Sequence, residues 1–200
     1  MNTYYLIRHG LKTSQAGDPD LTKEGRIQAE KTAKYLQAIG VSKIISSTYK
    51  RTLETANIID HVLCVGIEQD DMLRERMDWG SARGQTLEDF LKEWEYSDLN
   101  RHFKPKAGKS SFEAGGEVLG LLKKISKNLI TNNNNIAIIT HGGVVIDLLR
   151  NLFPDSEIEK RKPGIINGKV EECSITVLEQ KGDTFILKSL ASTEHLVDKL

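Results

Sequence analysis

The chain has few cysteines, few prolines and no long apolar run. Of its 200 residues, only Cys64 and Cys173 are cysteine and four are proline. Two cysteines are too few for a disulfide framework and are typical of a reducing cytoplasm. No apolar run approaches the roughly 20 residues of a membrane-spanning helix, and no charged-then-apolar leader precedes the first strand. We therefore expect a cytoplasmic protein without a membrane anchor or a cleaved presequence.

The chain also lacks an excess of charge of either sign. Its 28 basic residues match its 28 acidic residues, so the formal net charge is zero. A surface that binds nucleic acid or anionic membranes is therefore not expected. No two pairs of ligands have the spacing of a metal site, so we expect no metal and no other cofactor. The length suits a single domain over residues 1–200, and the oligomeric state, a homodimer included, is left open.

The chain does contain an alternation of short apolar runs and helical patterns. Strands are predicted at residues 3–7, 41–45 and 136–140, with helices between them. This order is typical of a mostly parallel sheet covered on both faces. Two later runs, 173–178 and 184–190, flank a turn at Gly182 and predict an antiparallel hairpin. The predicted fold class is α/β: a three-layer sandwich with helices around a mostly parallel central sheet and a C-terminal hairpin at one edge.

Four helices are predicted. The first ends at about Ile39, and the others cover residues 49–60, 117–130 and 144–152. An asparagine run follows the third helix. Ser46, Ser47 and Thr48 are expected to cap the helix that begins near residue 49. The stretch 76–116 is less regular and contains both tryptophans. We expect it to form a lid or insertion over the ligand crevice.

Two His-Gly steps follow apolar runs. Arg8-His9-Gly10 comes directly after the first strand, and His141-Gly142 follows the strand predicted at 136–140. In an open α/β sheet the carboxyl ends of the strands form the ligand crevice. Both histidines are therefore expected to face the same bound group.

The charged residues near these steps suit a phosphoryl group. Arg51 is predicted in the first turn of a helix, where a guanidinium fork and free N–H groups both favour phosphate oxygens. His9 is the candidate nucleophile, and His141 with Arg8 and Arg51 would hold the other oxygens. Glu75 is the candidate acid that protonates the departing alkoxide.

These segments, in order, resemble successive motifs of the histidine phosphatase superfamily, also called phosphoglycerate mutase-like. The resemblance rests on residues 6–10, 21–29, 46–56, 140–143 and 172–178. It implies a metal-independent phosphatase that hydrolyses a phosphomonoester through a phosphohistidine intermediate. The implied roles are phosphorylated nucleophile for His9, phosphate binding for Arg8 and Arg51, second catalytic histidine for His141 and proton donor for Glu75.

Three positions depart from the family pattern. Lys12 stands where many relatives have Ser or Thr, and Gln15 stands where the mutases have Asn. One extra residue separates Glu75 from Gly80, which makes Asp78 a rival for the acid. The alternatives are a phosphoglycerate mutase and a binding module for a phosphorylated ligand that has no turnover. The sequence leaves the identity of the substrate open.

Overall fold

A computed structural model describes residues 1–128 and 133–197, and a six-stranded sheet forms its centre. The strands are β1 Asn2–Arg8, β2 Lys43–Ser46, β3 Ile67–Gln69, β4 Asn135–Thr140, β5 Ile175–Lys181 and β6 Thr184–Ser192. Their order across the sheet is β3-β2-β4-β1-β5-β6. The first four strands of that order are parallel, and β5 and β6 form an antiparallel hairpin at the edge. The predicted fold class is confirmed.

In the described part of the chain, six α-helices accompany the sheet. They are α1 Lys23–Ala38, α2 Lys50–Leu63, α3 Leu87–Leu99, α4 Ser111–Asn128, α5 Gly142–Leu152 and α6 Asp155–Arg161. One apolar core lies against α4 and α5, with Leu122 and Leu148 fully buried, and a second lies against α1 and α2, with Leu36 and Ile59 fully buried. Within the described ranges, no helix combines the length and apolar character needed to cross a bilayer.

Several local predictions need correction. Helix α4 begins at Ser111 rather than at residue 117, and the stretch 76–116 also contains α3, so it is more regular than its sequence indicates. The predicted end of α4 at residue 130 lies outside the described residues. Strand β3 and helix α6 were not predicted, because three and seven residues are too short to show a clear period.

The predicted cap of α2 is wrong as well. None of the three hydroxyls caps the helix, whose N-cap residue is Tyr49. The carboxylate of Asp18, from the loop after β1, accepts hydrogen bonds from the backbone N–H groups of Lys50 and Arg51 instead. A carboxylate suits this end of a helix, where free N–H groups and the positive end of the dipole meet.

The register of the two central strands positions the site. Arg8 of β1 lies beside Thr140 of β4 in the parallel ladder. The N–H of the following residue, His9, donates to the Thr140 carbonyl at 3.0 Å. Both strands therefore end at the same edge of the sheet, and His9 and His141 leave it side by side.

Candidate active site

The two histidines expected at strand ends are in contact. The centroids of the His9 and His141 rings are 5.3 Å apart, in an edge-to-face arrangement. Both side chains are almost completely buried. Two imidazoles this close cannot both be charged without repulsion, so the arrangement favours neutral rings.

The hydrogen bond of His9 fixes which ring nitrogen carries the proton. Nδ1 lies 2.8 Å from the carbonyl oxygen of Gly10. A carbonyl only accepts, so Nδ1 is the protonated nitrogen and Nε2 carries the lone pair. Burial, together with the charges of Arg8 and Arg51, holds the pKa of His9 well below its usual value. At neutral pH the ring therefore has a free lone pair on Nε2, which is the requirement for a nucleophile.

His141 is hydrogen-bonded to Ser47, a residue that was expected to cap α2. Its Nε2 lies 2.9 Å from Oγ of Ser47, at the end of β2. Burial and the charge of Arg51 lower the pKa of His141 well below its usual value. The ring does not line the cavity described below, and it reaches the site through its contact with His9. Ser47 was missed because only the fold brings residues 47 and 141 together.

Arg8 and Arg51 flank the two histidines. The Arg8 guanidinium donates to the Val170 carbonyl and forms an ion pair with Glu172 at 3.0 Å. Arg51 lies in the first turn of α2, as predicted, and its side chain is only 2% exposed. Among the described residues, Nε of each arginine and Nδ1 of His141 are buried without a hydrogen-bond partner. Groups of this kind favour a bound anion, because unpaired buried polar atoms are destabilising.

Glu75 reaches the same place from the chain segment after β3. Its carboxylate accepts hydrogen bonds at 3.1 Å from the backbone N–H groups of Gly143 and Arg76. Burial raises the pKa of Glu75 to about 7, although the charge of Arg76 opposes the rise. A Cβ at Gly143 would lie 2.6 Å from the Glu75 carboxylate and 2.7 Å from the Trp94 ring, so only glycine fits there. Glu75 is therefore a carboxyl group able to hold a proton near neutral pH.

Asp78, the rival for the acid, binds elsewhere. Its two carboxylate oxygens lie 3.2 and 3.3 Å from the terminal nitrogens of Arg51. Burial raises the pKa of Asp78, although the charge of Arg51 opposes the rise. The two candidate acids therefore have different partners: Glu75 binds backbone N–H groups, and Asp78 binds a guanidinium.

A cavity of about 460 Å³ opens over these groups. Its inner end is charged and is formed by Arg8, His9, Lys12, Arg51 and Glu75. Its outer end is largely apolar. The side chains there come mostly from α3 and the segments on either side of it: Met77, Trp79, Leu87, Phe90, Leu91, Trp94, Ile146 and Ile166. The cavity therefore has a charged floor and an apolar mouth. Across the described ranges, no group of three or more His, Cys, Asp or Glu side chains has the geometry to hold a metal ion.

The fold is that of the histidine phosphatase superfamily. The family model for branch 1 of that superfamily matches residues 4–193, and the chain belongs to this family. It is an enzyme family whose curated relatives are named as phosphatases and phosphoglycerate mutases.

Three relatives illustrate the similarity. The uncharacterized phosphatase PhoE of Bacillus subtilis is 27% identical over 203 residues, which cover 98% of this chain and 97% of that protein. A probable phosphoglycerate mutase, GpmB of Salmonella arizonae, is 33% identical over 98 residues, which cover 46% of this chain and 45% of the relative. A mycobacterial glucosyl-3-phosphoglycerate phosphatase, solved with VO3, superposes with a TM-score of 0.78 at 20% identity, over 96% of this chain and 99% of that structure.

Proposed function

We propose that this protein hydrolyses phosphomonoesters through a phosphohistidine on His9, without a metal ion. The observation that carries the proposal is the hydrogen bond from His9 Nδ1 to the Gly10 carbonyl. It leaves Nε2 with its lone pair, on a ring whose low pKa keeps it neutral. Arg8, Arg51 and His141 supply buried donors around that ring. Fixed donors of this kind stabilise the charge that spreads over the phosphoryl oxygens in the transition state.

The reaction balances in two steps. In the first, His9 Nε2 attacks phosphorus, the P–N bond forms and the P–O ester bond breaks. Protonated Glu75 gives its proton to the departing oxygen, which leaves as an alcohol. In the second, water attacks the phosphohistidine while the Glu75 carboxylate accepts a proton from it. Inorganic phosphate is released, and His9 and Glu75 return to their starting protonation states.

The apolar mouth of the cavity supports a substrate with an apolar or aromatic body. Beyond the charged floor, each charged side chain of the lining is already paired, so few groups remain for sugar hydroxyls or a second acid group; these side chains are Arg76, Asp78, Asp98 and Lys169. We propose that residues 76–116 form the lid that supplies this surface. Leu87 and Leu91, one turn apart on α3, are 46% and 55% exposed at the rim. Burial of such side chains against a substrate is favourable by about 25 cal/mol per Å² of apolar area.

Phosphoglycerate mutase activity is the second candidate, because several relatives that match the chain over 98 residues carry that name. In a mutase the phosphohistidine returns its phosphoryl group to a hydroxyl of a bound glycerate instead of to water. That reaction requires donors for the glycerate carboxylate. Beyond the charged floor the available cation would be Lys169, which is already paired with Glu171 and Glu172, so hydrolysis is the better-supported function.

The proposal predicts that wild-type protein hydrolyses p-nitrophenyl phosphate in excess chelator and that His9→Ala abolishes turnover. We expect a loss of at least about 10⁴-fold, because a nucleophile and its covalent intermediate disappear together. The direct measurement is mass spectrometry of rapidly quenched protein, with an acid-labile phosphoryl group expected on the peptide that contains His9.

The matched control is His61→Ala, because His61 is exposed on α2 and remote from the cavity. Full activity in the control and none in His9→Ala is the expected pair of results. Turnover without any phosphorylated His9 would overturn the mechanism. Transfer to glycerate in preference to water would instead establish the mutase.

A further inference from the structure

The guanidinium of Arg51 already holds a carboxylate in the geometry that phosphate would need. Asp78 binds it at two points, with one oxygen 3.2 Å from one terminal nitrogen and the other oxygen 3.3 Å from the second. Asp18 adds a third contact at 3.1 Å. Carboxylate and phosphate compete for the same fork of donors, because both present two oxygens at matching separation. A phosphoryl group cannot occupy the fork while Asp78 remains on it.

The two carboxylates on Arg51 differ in what else they do. Asp18 also accepts hydrogen bonds from the backbone N–H groups of Lys50 and Arg51, so the start of α2 depends on it. Within the described part of the chain, the Asp78 side chain contacts no donor apart from Arg51. Asp78 also lines the cavity and lies in an irregular segment between the 3₁₀ turn at 71–73 and α3. Rotation of its side chain would free Arg51 without disturbing a helix.

The charges of the site show what this rotation would change. The cations at the cavity floor are Arg8, Lys12 and Arg51. Glu172 faces Arg8, while Asp18 and Asp78 face Arg51. Lys169 also lines the cavity and shares Glu172 with Arg8. The two carboxylates on Arg51 therefore oppose the attraction between this guanidinium and a phosphate dianion. With Asp78 turned away, Arg51 regains a free fork.

Lys12 offers a second position for the displaced carboxylate. It lines the same cavity, and its ammonium forms no ion pair with any side chain that the structure describes. The charges of Lys12 and Asp78 act on each other, and burial together with Arg51 lowers the pKa of Lys12. A lysine next to Arg51 is destabilised by like charge and is stabilised by a carboxylate, which favours Asp78 as its partner once phosphate holds Arg51.

We infer that Asp78 is an internal competitor for the phosphate site, which leaves Arg51 when a phosphoryl group binds and returns when inorganic phosphate departs. The inference rests on the proposed function, because it assumes that Arg51 binds phosphate. Asp78 then weakens the binding of product and substrate phosphoryl groups alike.

The test is the affinity for inorganic phosphate of the wild type, Asp78→Asn and Asp20→Asn. Trp79 and Trp94 line the cavity, so tryptophan fluorescence can follow the titration, with calorimetry as the independent measurement. Asp78→Asn keeps the shape and removes the charge, and we expect phosphate to bind about tenfold more tightly, because a neutral amide competes for the Arg51 guanidinium less strongly than a carboxylate does. Asp20→Asn is the matched control, because Asp20 pairs with the neighbouring Lys50 and not with Arg51.

Each outcome decides the matter. Tighter binding in Asp78→Asn and in Asp78→Ala, with Asp20→Asn unchanged, supports the competitor. Unchanged or weaker binding in Asp78→Asn overturns it, as does an equal gain in Asp20→Asn, which would show a general charge effect. Phosphohistidine in the wild type together with unchanged phosphate affinity in Asp78→Asn would reject this inference alone. Absence of both phosphohistidine and phosphate binding in every variant would reject the proposed function as well.

Discussion

Arg51 and Arg76 are two almost fully buried arginines that line the same cavity, and they are held in opposite ways. The carboxylates on Arg51 come from irregular segments and reach it at 3.1 to 3.3 Å. Those on Arg76 come from two helices. Asp147 of α5 accepts at 2.8 and 3.0 Å, Asp98 of α3 binds the other terminal nitrogen, and the Trp94 ring lies 3.9 Å from the guanidinium carbon.

The difference indicates different tasks for the same side chain. Arg76 ties the segment that carries Glu75 to α5 and α3, and Ser111 of α4 donates to the same Asp147 carboxylate at 2.6 Å. A buried network that joins three helices is suited to fixing positions. The partners of Arg51 leave it accessible from the cavity. One buried arginine is thus arranged to exchange its anion and the other to keep it.

Replacing each arginine by methionine should separate the two tasks. We expect Arg51→Met to lower kcat/KM by about 10³-fold, since a missing donor to a developing charge has that effect, with little change in stability. Arg76→Met leaves Asp147 buried without its cation and should lower the free energy of unfolding by about 3 kcal/mol. Urea denaturation and steady-state kinetics of both variants measure the two effects.

Asp147→Asn, added to Arg76→Met, is the control for this pair. Removal of the stranded charge should restore part of the lost stability, because the two residues share one interaction. Equal losses of stability in Arg51→Met and Arg76→Met would contradict the distinction drawn between the two arginines.

Glu75 lies next to Arg76 in the chain, and its protonation state should set the pH dependence of turnover. Burial raises the pKa of Glu75 to about 7. An acid acts only while protonated, so kcat on alkyl phosphates should fall as pH rises through about 7, by about tenfold per pH unit at the high end. Glu75→Gln should lower kcat on alkyl phosphates by about 10²-fold and remove that limb of the profile.

The comparison of leaving groups makes the Glu75 prediction specific. p-Nitrophenolate leaves without help from an acid, so Glu75→Gln should affect p-nitrophenyl phosphate far less than an alkyl ester. Equal losses on both substrates would show that Glu75 is not the leaving-group acid. Asp78→Asn separates the two carboxylates, because a selective loss on alkyl esters in that variant would assign the acid to Asp78.

The sequence predicted where His9, His141 and Arg51 lie in the fold, but it did not predict the network around Arg76. These three residues lie at the end of an apolar run or at the start of a helix, so a local sequence pattern predicts their positions: His9 after β1, His141 after β4, Arg51 at the start of α2. The contacts of Arg76 join positions 22 and 71 residues apart in the chain. No local period encodes such contacts.

The errors have the same cause. Hydroxyls at 46–48 were expected to cap α2 because they are adjacent in the sequence, yet the cap comes from Asp18, 33 residues before Arg51. The Ser47 hydroxyl instead forms a hydrogen bond with His141, 94 residues later. The positions of His9, His141 and Arg51 depend on the local secondary structure. The side chains that bind them come from distant parts of the chain, so their positions depend on the tertiary fold. The role of Asp78 on Arg51 belongs to the second kind.

Trp94→Leu tests whether the surroundings of Arg76 influence the site around Arg51. We expect it to change activity and stability less than the other variants do. The ring covers Arg76 and lines the apolar mouth of the cavity. Loss of the cation–π contact should lower the free energy of unfolding by about 1 kcal/mol. KM for an aryl phosphate should rise a few fold, because less apolar surface is buried. The affinity for inorganic phosphate should stay at the wild-type value, since the ring of Trp94 contacts Arg76 and Phe90. Calorimetry with phosphate and kinetics with the aryl ester measure both quantities on one variant. A parallel loss of phosphate affinity would mean that the side chains around Arg76 also influence phosphate binding at Arg51. It would contradict the assignment of different tasks to the two arginines.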